Sequence, residues 1–396
     1  MRGHPGIRRG RDLTEINVIS DGAILIRGGI LAEVGPSRRV ENLAEARDAI
    51  EINAAGRVVI PGFVDAHTHL ASPPPGIQPS EGESAVRALH AATGHRLEAR
   101  SRICLEAMAR HGTTTVEVKS AGGLVEGIES KLLRVLHTLL SDPLDLVPTF
   151  FFRLPSGNLA ECLGTTEHLA ADLLPKIGRR GVVRFADVRW QGDPAALPCL
   201  ERYLQVAGQL HFDLKIHADG PNSRTAVDVA IRRKVSSIDH LEHLDPADAK
   251  RVGEAGLTVV LVPSASLTET RTAPARQLIE SGAAVALGSN FNLSHSPMLS
   301  MQTVMALACG RMAMTFEESL TAATINGAYA LGCGDSVGSL EPGKAADLLI
   351  LNAGHYLDLG QSLGTNLVYM TVKRGRVIYK EADVGPLPND EIASGF

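Results

Sequence analysis

From Phe63 onward, the chain alternates short apolar segments with amphipathic ones, and this alternation restricts it to a small number of folds. Eight candidate strands start near Phe63, Thr113, Val147, Val183, Phe212, Ser236, Thr258 and Ala284. Helical patterns lie between them, for example over residues 130–140, 167–177, 200–209 and 247–255. Eight strand–helix units in about 270 residues predict an α/β fold, the (β/α)8 TIM barrel. A doubly wound open sheet is the alternative, but no glycine-rich phosphate loop follows the first strand.

The two ends of the chain carry the pattern of antiparallel hairpins instead. Residues 22–35 alternate around the pair Gly28 and Gly29, which is typical of a tight turn. Residues 367–372 and 377–379 flank a second turn, and residues 346–351 add a further strand. We expect these segments from both ends to pair with each other into a small β-sandwich.

The predicted domain organisation combines these two patterns. A composite β-sandwich domain would be built from residues 1–60 and 339–396. The barrel, residues 61–338, would be inserted between its two parts.

The composition is that of an ordinary globular protein, with 44% hydrophobic and 21% charged residues among 396. A net charge of −5 predicts no strong attraction to nucleic acid or to an anionic membrane surface. The five cysteines are scattered without zinc-type spacing, which is typical of reduced thiols. The sequence has no stretch of membrane-span length and no apolar signal region near Met1. We therefore expect a cytoplasmic protein with a small-molecule partner.

Four short stretches could meet around one divalent metal. His67 and His69 lie two residues apart on the first predicted strand, so their imidazoles share one face. His217 and His240 lie at the ends of the fifth and sixth strands, and Asn290 follows the eighth. In a barrel, these carboxyl ends form the active face. A single histidine there is more often a packed or surface residue, but the convergence of four positions favours a metal site. Zinc is the expected ion, with iron and manganese as alternatives.

Residues 61–69 resemble the first-strand signature of the amidohydrolase superfamily, and residues 338–348 resemble the return into its β-sandwich. Within the superfamily, several further segments are most similar to the imidazolonepropionases, which hydrolyse a cyclic C–N bond. These segments are residues 113–120, 215–219, 285–292, 296–297 and 323–332. The resemblance covers nearly the whole chain and also implies a homodimer.

The resemblance implies metal ligands at His67, His69 and His217, with His240 close by as a substrate-contacting or proton-handling residue. The last ligand of the family is an aspartate that also helps to deprotonate the nucleophile, and this chain has Asn290 there. An amide can offer a neutral carbonyl oxygen to a metal but cannot accept that proton. Asn290 is therefore a candidate metal ligand and catalytic residue. Whether the site is active with an amide at this position is left open by the sequence.

Other positions depart from the family around the substrate. Gly122 stands where the family has a substrate-contacting tyrosine, and residues 72–76 replace a stretch with a carboxylate-binding arginine. Near Phe152 the family histidine is absent, and Gly220 occupies an acidic or amide position. We therefore expect a substrate other than imidazolonepropionate. Gly220 also argues against a deaminase, which usually has a proton-shuttling glutamate there.

Several polar residues have two interpretations. Lys119 is expected either to form a buried ion pair with Glu117 or to bind a substrate carboxylate, and Arg153 is the other candidate for that carboxylate. Asp219 is a candidate replacement base, although it could instead orient an imidazole. Trp190 could line the pocket or simply pack.

Two further residues, Asp239 and His295, carry similar alternatives, and a third, Arg276, has one expected role. Asp239 has the same two interpretations as Asp219, as a replacement base or as a partner that orients an imidazole. His295 could compensate for Asn290 as a ligand or base, and Arg276 is expected to be structural.

Together these features predict a metal-dependent hydrolase of a non-peptide C–N bond, in a small cyclic amide, by attack of metal-activated water. The alternative is a catalytically impaired paralogue that binds a small ligand or partner, because position 290 is not an aspartate.

Overall fold

The computed structural model describes residues 6–70, 82–120, 125–155, 158–267, 270–293 and 296–382. The strands are β1 (Gly22–Arg27), β2 (Ile30–Pro36), β3 (Val59–Pro61), β4 (Phe63–Asp65), β5 (Thr113–Lys119), β6 (Asp145–Arg153), β7 (Phe185–Arg189), β8 (Asp213–Ala218), β9 (Ser237–His240), β10 (Thr258–Leu261), β11 (Ala284–Leu287), β12 (Leu348–Leu351), β13 (Val368–Lys373) and β14 (Arg376–Lys380). The α-helices are α1 (Ser37–Val40), α2 (Gly82–Ala91), α3 (Gly94–Arg110), α4 (Glu126–Thr138), α5 (Leu159–His168), α6 (Leu174–Arg180), α7 (Leu197–Gln209), α8 (Ser223–Arg233), α9 (Ala249–Glu254), α10 (Ala275–Glu280), α11 (Met301–Met312), α12 (Phe316–Ala322), α13 (Ile325–Ala330) and α14 (Asp358–Gln361).

Strands β4 to β11 form the barrel and lie side by side in sequence order, each parallel to its neighbours. Their residues are buried almost throughout, as expected for parallel strands that are covered by helices outside and filled by side chains inside. The predicted TIM barrel is therefore confirmed.

The ring closes where the segment after β11 meets the segment after β4. The amide of Asn290 donates to the carbonyl of His67 at 2.9 Å, and the amide of His69 donates to the carbonyl of Phe291 at 2.7 Å. A parallel bridge joins Thr68 to Phe291 between these two bonds. The hydrogen bonds that close the barrel therefore involve His67 and Asn290, the two predicted metal-binding residues that are furthest apart in sequence.

The helices around the barrel present apolar faces to it. In α4, Ile128, Leu132 and Leu136 are buried at a spacing of four residues, which is one helical face. Arg276 on α10 pairs with Glu318 of α12, whose capping box links Thr315 and Glu318. These contacts give Arg276 the structural role expected for it.

Strands from both ends of the chain form a second β unit, as predicted. Strands β14, β13, β12 and β3 pair in that order as an antiparallel sheet, and the β1–β2 hairpin bridges to it between Ile30 and Ala345. Gly28 and Gly29 adopt left-handed backbone angles at the hairpin turn. Leu31, Leu348 and other apolar residues fill the interior between the two sheets. The exact domain boundaries stay a prediction, since β3 crosses residue 60.

Three of the sequence expectations, those at residues 72–76, Gly122 and His295, lie outside the described residues. Within the described ranges, every helix is too short or too polar to cross a membrane.

Candidate metal centre

His67, His69 and His217 come together at the carboxyl ends of β4 and β8. The Nε2 atoms of His67 and His69 are 3.3 Å apart, and the ring centroid of His217 is 5.0 Å from that of His67. One nitrogen from each of the three rings lies within 4.8 Å of the others. Because all three side chains are buried, these nitrogens face a common point out of bulk solvent. Such a set can hold one divalent ion.

The three imidazoles are held in the neutral form that a metal requires. Burial lowers the pKa of His67 and of His69 well below the usual value, and burial together with the charge of His240 lowers the pKa of His217 to about 3. The Nδ1 atom of His217 is buried and has no hydrogen bond to any described residue. An unpaired buried nitrogen of this kind is costly unless it binds something.

Asp239, at the end of β9, orients His67. Its Oδ2 atom lies 2.8 Å from Nδ1 of His67, so that nitrogen carries the proton and the Nε2 lone pair faces His69. Burial alone would raise the pKa of Asp239, but Lys119 and Lys215 outweigh it and hold the pKa well below the usual range. The ionised carboxylate therefore fixes the ring, which is the second of the two roles considered for Asp239.

Asn290 lies beside His67 immediately after the barrel closes. Its backbone is left-handed, with φ of 55°, a conformation that Asn and Asp tolerate better than most residues. Its side chain is partly exposed, and only its backbone amide, not its side-chain amide, makes a hydrogen bond to another residue that the structure describes. Position 290 is thus next to the histidine cluster, where the resemblance places the last ligand.

His240, at the end of β9, lies close to the histidine cluster. Its ring centroid is 4.2 Å from that of His217, and its backbone is left-handed. Nδ1 of His240 lies 3.0 Å from Oε1 of Glu242, whereas its buried Nε2 atom has no partner among the described residues. Burial opposes protonation, but the Glu242 carboxylate outweighs it and raises the pKa of His240. The ring can therefore donate a proton from Nε2.

Asp219 contacts His217 but is bound to an arginine. Its Oδ2 atom is 3.5 Å from Nε2 of His217, and Arg189 donates to both carboxylate oxygens. Burial alone would raise the pKa of Asp219, but His217 and Arg189 hold it well below the usual range. These contacts favour orientation of His217 over the proposed role as a base.

Lys119 and Trp190, two predicted substrate contacts, are fully buried. The Nζ atom of Lys119 is 3.2 Å from Glu117, so the ion pair considered as its alternative is present. The indole of Trp190 packs in the main core and donates to the carbonyl of Asn222 at 3.4 Å. Both residues thus have the contacts of structural residues rather than of a pocket wall.

Arg153, the third predicted contact, lies at the end of β6 opposite Arg189 in register. Burial and the charge of Arg189 lower the pKa of Arg153 to about 10. Among the described residues, no carboxylate pairs with Arg153, and its buried Nε atom has no hydrogen bond. Its guanidinium lies 5.6 Å from the ring of Phe151, which in turn is 5.2 Å from the ring of His69. The charge of Asp219 opposes these two effects, but Arg189 binds both oxygens of that carboxylate. A guanidinium that makes no salt bridge to a described carboxylate therefore lies near the histidine cluster.

Several residues of the site were not singled out from the sequence. Asp65 accepts from the amide of Ser289 at 2.9 Å, and burial raises its pKa to about 7. Asp187 and Lys215 belong to a buried ion network, and Glu242 pairs with His240. A signal existed for Lys215, which shares a strand face with His217 two residues on.

Comparisons with known proteins agree with this geometry. The family model "Amidohydrolase family" matches residues 58–378. The imidazolonepropionase of Symbiobacterium thermophilum is 35% identical, over 96% of this chain and 95% of its own. That of Parabacteroides distasonis is 34% identical, over 93% and 94%. Among solved structures, 5-methylcytosine deaminase from Klebsiella pneumoniae superposes with a TM-score of 0.73 at 17% identity, over 92% of this chain and 96% of that one. E. coli guanine deaminase gives 0.67 at 17%, over 92% and 94%. The two solved structures share the fold.

Proposed function

The chain belongs to the amidohydrolase family, and from this premise we propose that it hydrolyses a C–N bond in a small cyclic amide at the histidine cluster. The family and the imidazolonepropionase relatives make it a hydrolase of C–N bonds other than peptide bonds. The observation that carries the proposal is the convergence of three buried, neutral imidazoles at one point.

The residues fit a divalent ion, and zinc is the proposed one, with iron and manganese as alternatives. Two nitrogens at about 2.0–2.1 Å from zinc and at a tetrahedral angle are roughly 3.3–3.4 Å apart. The observed separation of Nε2 in His67 from Nε2 in His69 is 3.3 Å. His217 would be the third ligand, and the amide oxygen of Asn290 the fourth. An ion held there would polarise the substrate carbonyl and activate water.

His240 is the proposed proton donor to the departing nitrogen or to the developing oxyanion. Its Nε2 atom is unpaired among the described residues, and Glu242 holds Nδ1 on the opposite side of the ring. Asn290 cannot take a proton from the nucleophile, because an amide has no basic site near neutral pH. His240 is therefore the residue best placed to handle protons in this chain.

Arg153 is the proposed substrate-binding residue, and we expect it to hold an anionic group. Its half-buried guanidinium makes no salt bridge to a described carboxylate, because Arg189 binds both oxygens of the nearby Asp219. A bound carboxylate would offset the cost of burying this charge. Lys119 cannot take this role as placed, because Glu117, Asp187 and Asp239 already surround its Nζ atom.

Elemental analysis of the purified protein and of two variants tests the metal site. We expect about one divalent ion per chain in the wild type, a strong loss in His217→Ala, and no change in His137→Ala, which alters an exposed histidine of α4. Metal-reconstituted protein would then be assayed against lactams, hydantoins and imidazolones, each with and without a carboxylate. A wild type that binds no divalent ion and leaves the whole panel intact would overturn the proposal.

The impaired paralogue was considered because of Asn290 and of the positions that depart from the family around the substrate, and the comparisons do not support it. The homodimer expected from the resemblance stays a prediction, which light scattering on the purified protein can test.

A further inference from the structure

Beneath the histidine cluster, the barrel interior contains a group of fully buried charged side chains from four strands. They are Glu117 and Lys119 of β5, Asp187 of β7, Lys215 of β8 and Asp239 of β9. Burying charges is unfavourable unless they are paired and hydrogen-bonded. A buried group of this size therefore calls for a specific explanation.

The two ammonium groups connect the three carboxylates. Lys119 Nζ donates to Asp187 at 2.5 Å and to Asp239 at 3.0 Å, and lies 3.2 Å from Glu117. Lys215 Nζ donates to Glu117 at 2.7 Å and lies 3.3 Å from Asp239. Both lysines thus meet at Asp239, and the carboxylates outnumber the ammonium groups. Negative charge therefore remains in the cluster.

Asp239 links this cluster to the metal centre. Its Oδ2 atom receives both lysines and also lies 2.8 Å from Nδ1 of His67, while its Oδ1 atom accepts from Ser237 Oγ at 2.8 Å. Asp187 shares the contact with Lys119, but no hydrogen bond joins it to a histidine among the described residues. Of the five charged residues in the cluster, Asp239 is the one with a hydrogen bond to a proposed metal ligand that the structure describes.

The contact between Asp239 and His67 is important because residue 290 is an asparagine and not an aspartate. The proposed ligands are three neutral imidazoles and one neutral amide, so no ligand carries negative charge. The carboxylate beside His217 is Asp219, and Arg189 occupies both of its oxygens. A dication in a buried site is unfavourable without an anion nearby.

We propose that Asp239, held in place by Lys119 and Lys215, is a positioning residue that supplies through His67 the negative charge that Asn290 does not. This inference rests on the proposed metal site. It predicts that the zinc affinity of the protein depends on Asp239 far more than on Asp187, although both carboxylates are fully buried and both bind Lys119.

Zinc dissociation constants, measured on apo protein by competition with a fluorescent chelator, test this difference. We expect Asp239→Asn to weaken zinc binding by about 10- to 100-fold and Asp187→Asn to change it by less than about threefold. Circular dichroism and thermal unfolding report whether each variant is folded. If a single variant does not fold, the charge-matched pair Lys119→Met/Asp239→Asn and Lys119→Met/Asp187→Asn replaces it, with the same difference expected.

A double-mutant cycle tests the compensation itself. In an Asn290→Asp background, the loss caused by Asp239→Asn should shrink, because a ligand then carries the negative charge. Equal zinc affinities for the two carboxylate variants, or an undiminished loss in that background, would overturn the inference while leaving the metal site intact. A wild type that binds no zinc would remove both the inference and the proposed function.

Discussion

Arg189 binds both carboxylate oxygens of Asp219, from Nε to Oδ1 at 3.0 Å and from Nη2 to Oδ2 at 2.5 Å. This bidentate pair lies at the edge of the histidine cluster, since Asp219 also faces Nε2 of His217. A carboxylate whose lone pairs are already taken by a guanidinium is a poor proton acceptor. The pair therefore supports the proposal that His240, and not Asp219, transfers the proton.

Separate substitutions of Asp219 and His240 should show which of the two residues transfers the proton. We expect Asp219→Asn to lower kcat by less than about tenfold, whereas loss of a general acid or base in His240→Gln should cost about 100-fold or more. Steady-state kinetics on the best substrate of the amide panel measures both. Comparable losses in the two variants would restore Asp219 as the base.

Restoring an aspartate at position 290 should strengthen metal binding. Asn290→Asp keeps a residue that tolerates the left-handed backbone and adds a charged ligand, so zinc affinity and kcat should both rise. Asn290→Gly also tolerates that backbone but removes the ligand, and it should bind zinc more weakly than the wild type. If all three proteins bind zinc equally, residue 290 is not a ligand.

Arg153→Met should raise KM selectively for substrates that carry a carboxylate. Hydrogen bonds to charged groups contribute about 1.5–3 kcal/mol, which corresponds to a KM increase of roughly 10- to 150-fold. Neutral methyl-ester analogues should show little change. Arg134→Met, on the exposed face of α4, is the matched control. An equal effect on charged and neutral substrates would assign Arg153 a structural role instead.

Gly288→Ala should destabilise the protein, because the added Cβ would lie 2.4 Å from Cβ of His67 and 2.8 Å from its backbone nitrogen. Overpacking of this kind costs about 1–3 kcal/mol. Gly310→Ala, in α11 with open space around it, should instead be stabilising by about 0.5–1 kcal/mol. Denaturant unfolding of both variants measures the contrast, and a Gly288→Ala protein as stable as wild type would refute the expected clash.

The sequence predicted the barrel well because short segments that contain apolar residues alternate regularly with amphipathic helical segments. The starts at Phe63, Thr113, Thr258 and Ala284 coincide with those of β4, β5, β10 and β11. The other four differ by one or two residues, since the apolar run and the hydrogen-bonded strand need not begin together.

The site was harder to predict wherever a contact joins distant strands. The pairing of Glu117 with Lys119 follows from their alternation on one strand. The contacts of Lys119 with Asp187 and Asp239 depend on the register of four further strands, which alternation alone does not give. For the same reason, the sequence did not predict the hydrogen bond between Asp239 and His67. This hydrogen bond connects the ion network to the histidines.

The barrel has one junction at which its last strand reaches back to its first, and His67, His69 and Asn290 lie on that junction. An ion bound by these residues would cross-link the segments that follow the first and last strands of the barrel. Metal binding would then stabilise the closed barrel, and the closed barrel would favour metal binding. Stripping the ion should accordingly speed amide hydrogen exchange first at residues 66–69 and 288–291, while the opposite wall of the barrel stays protected.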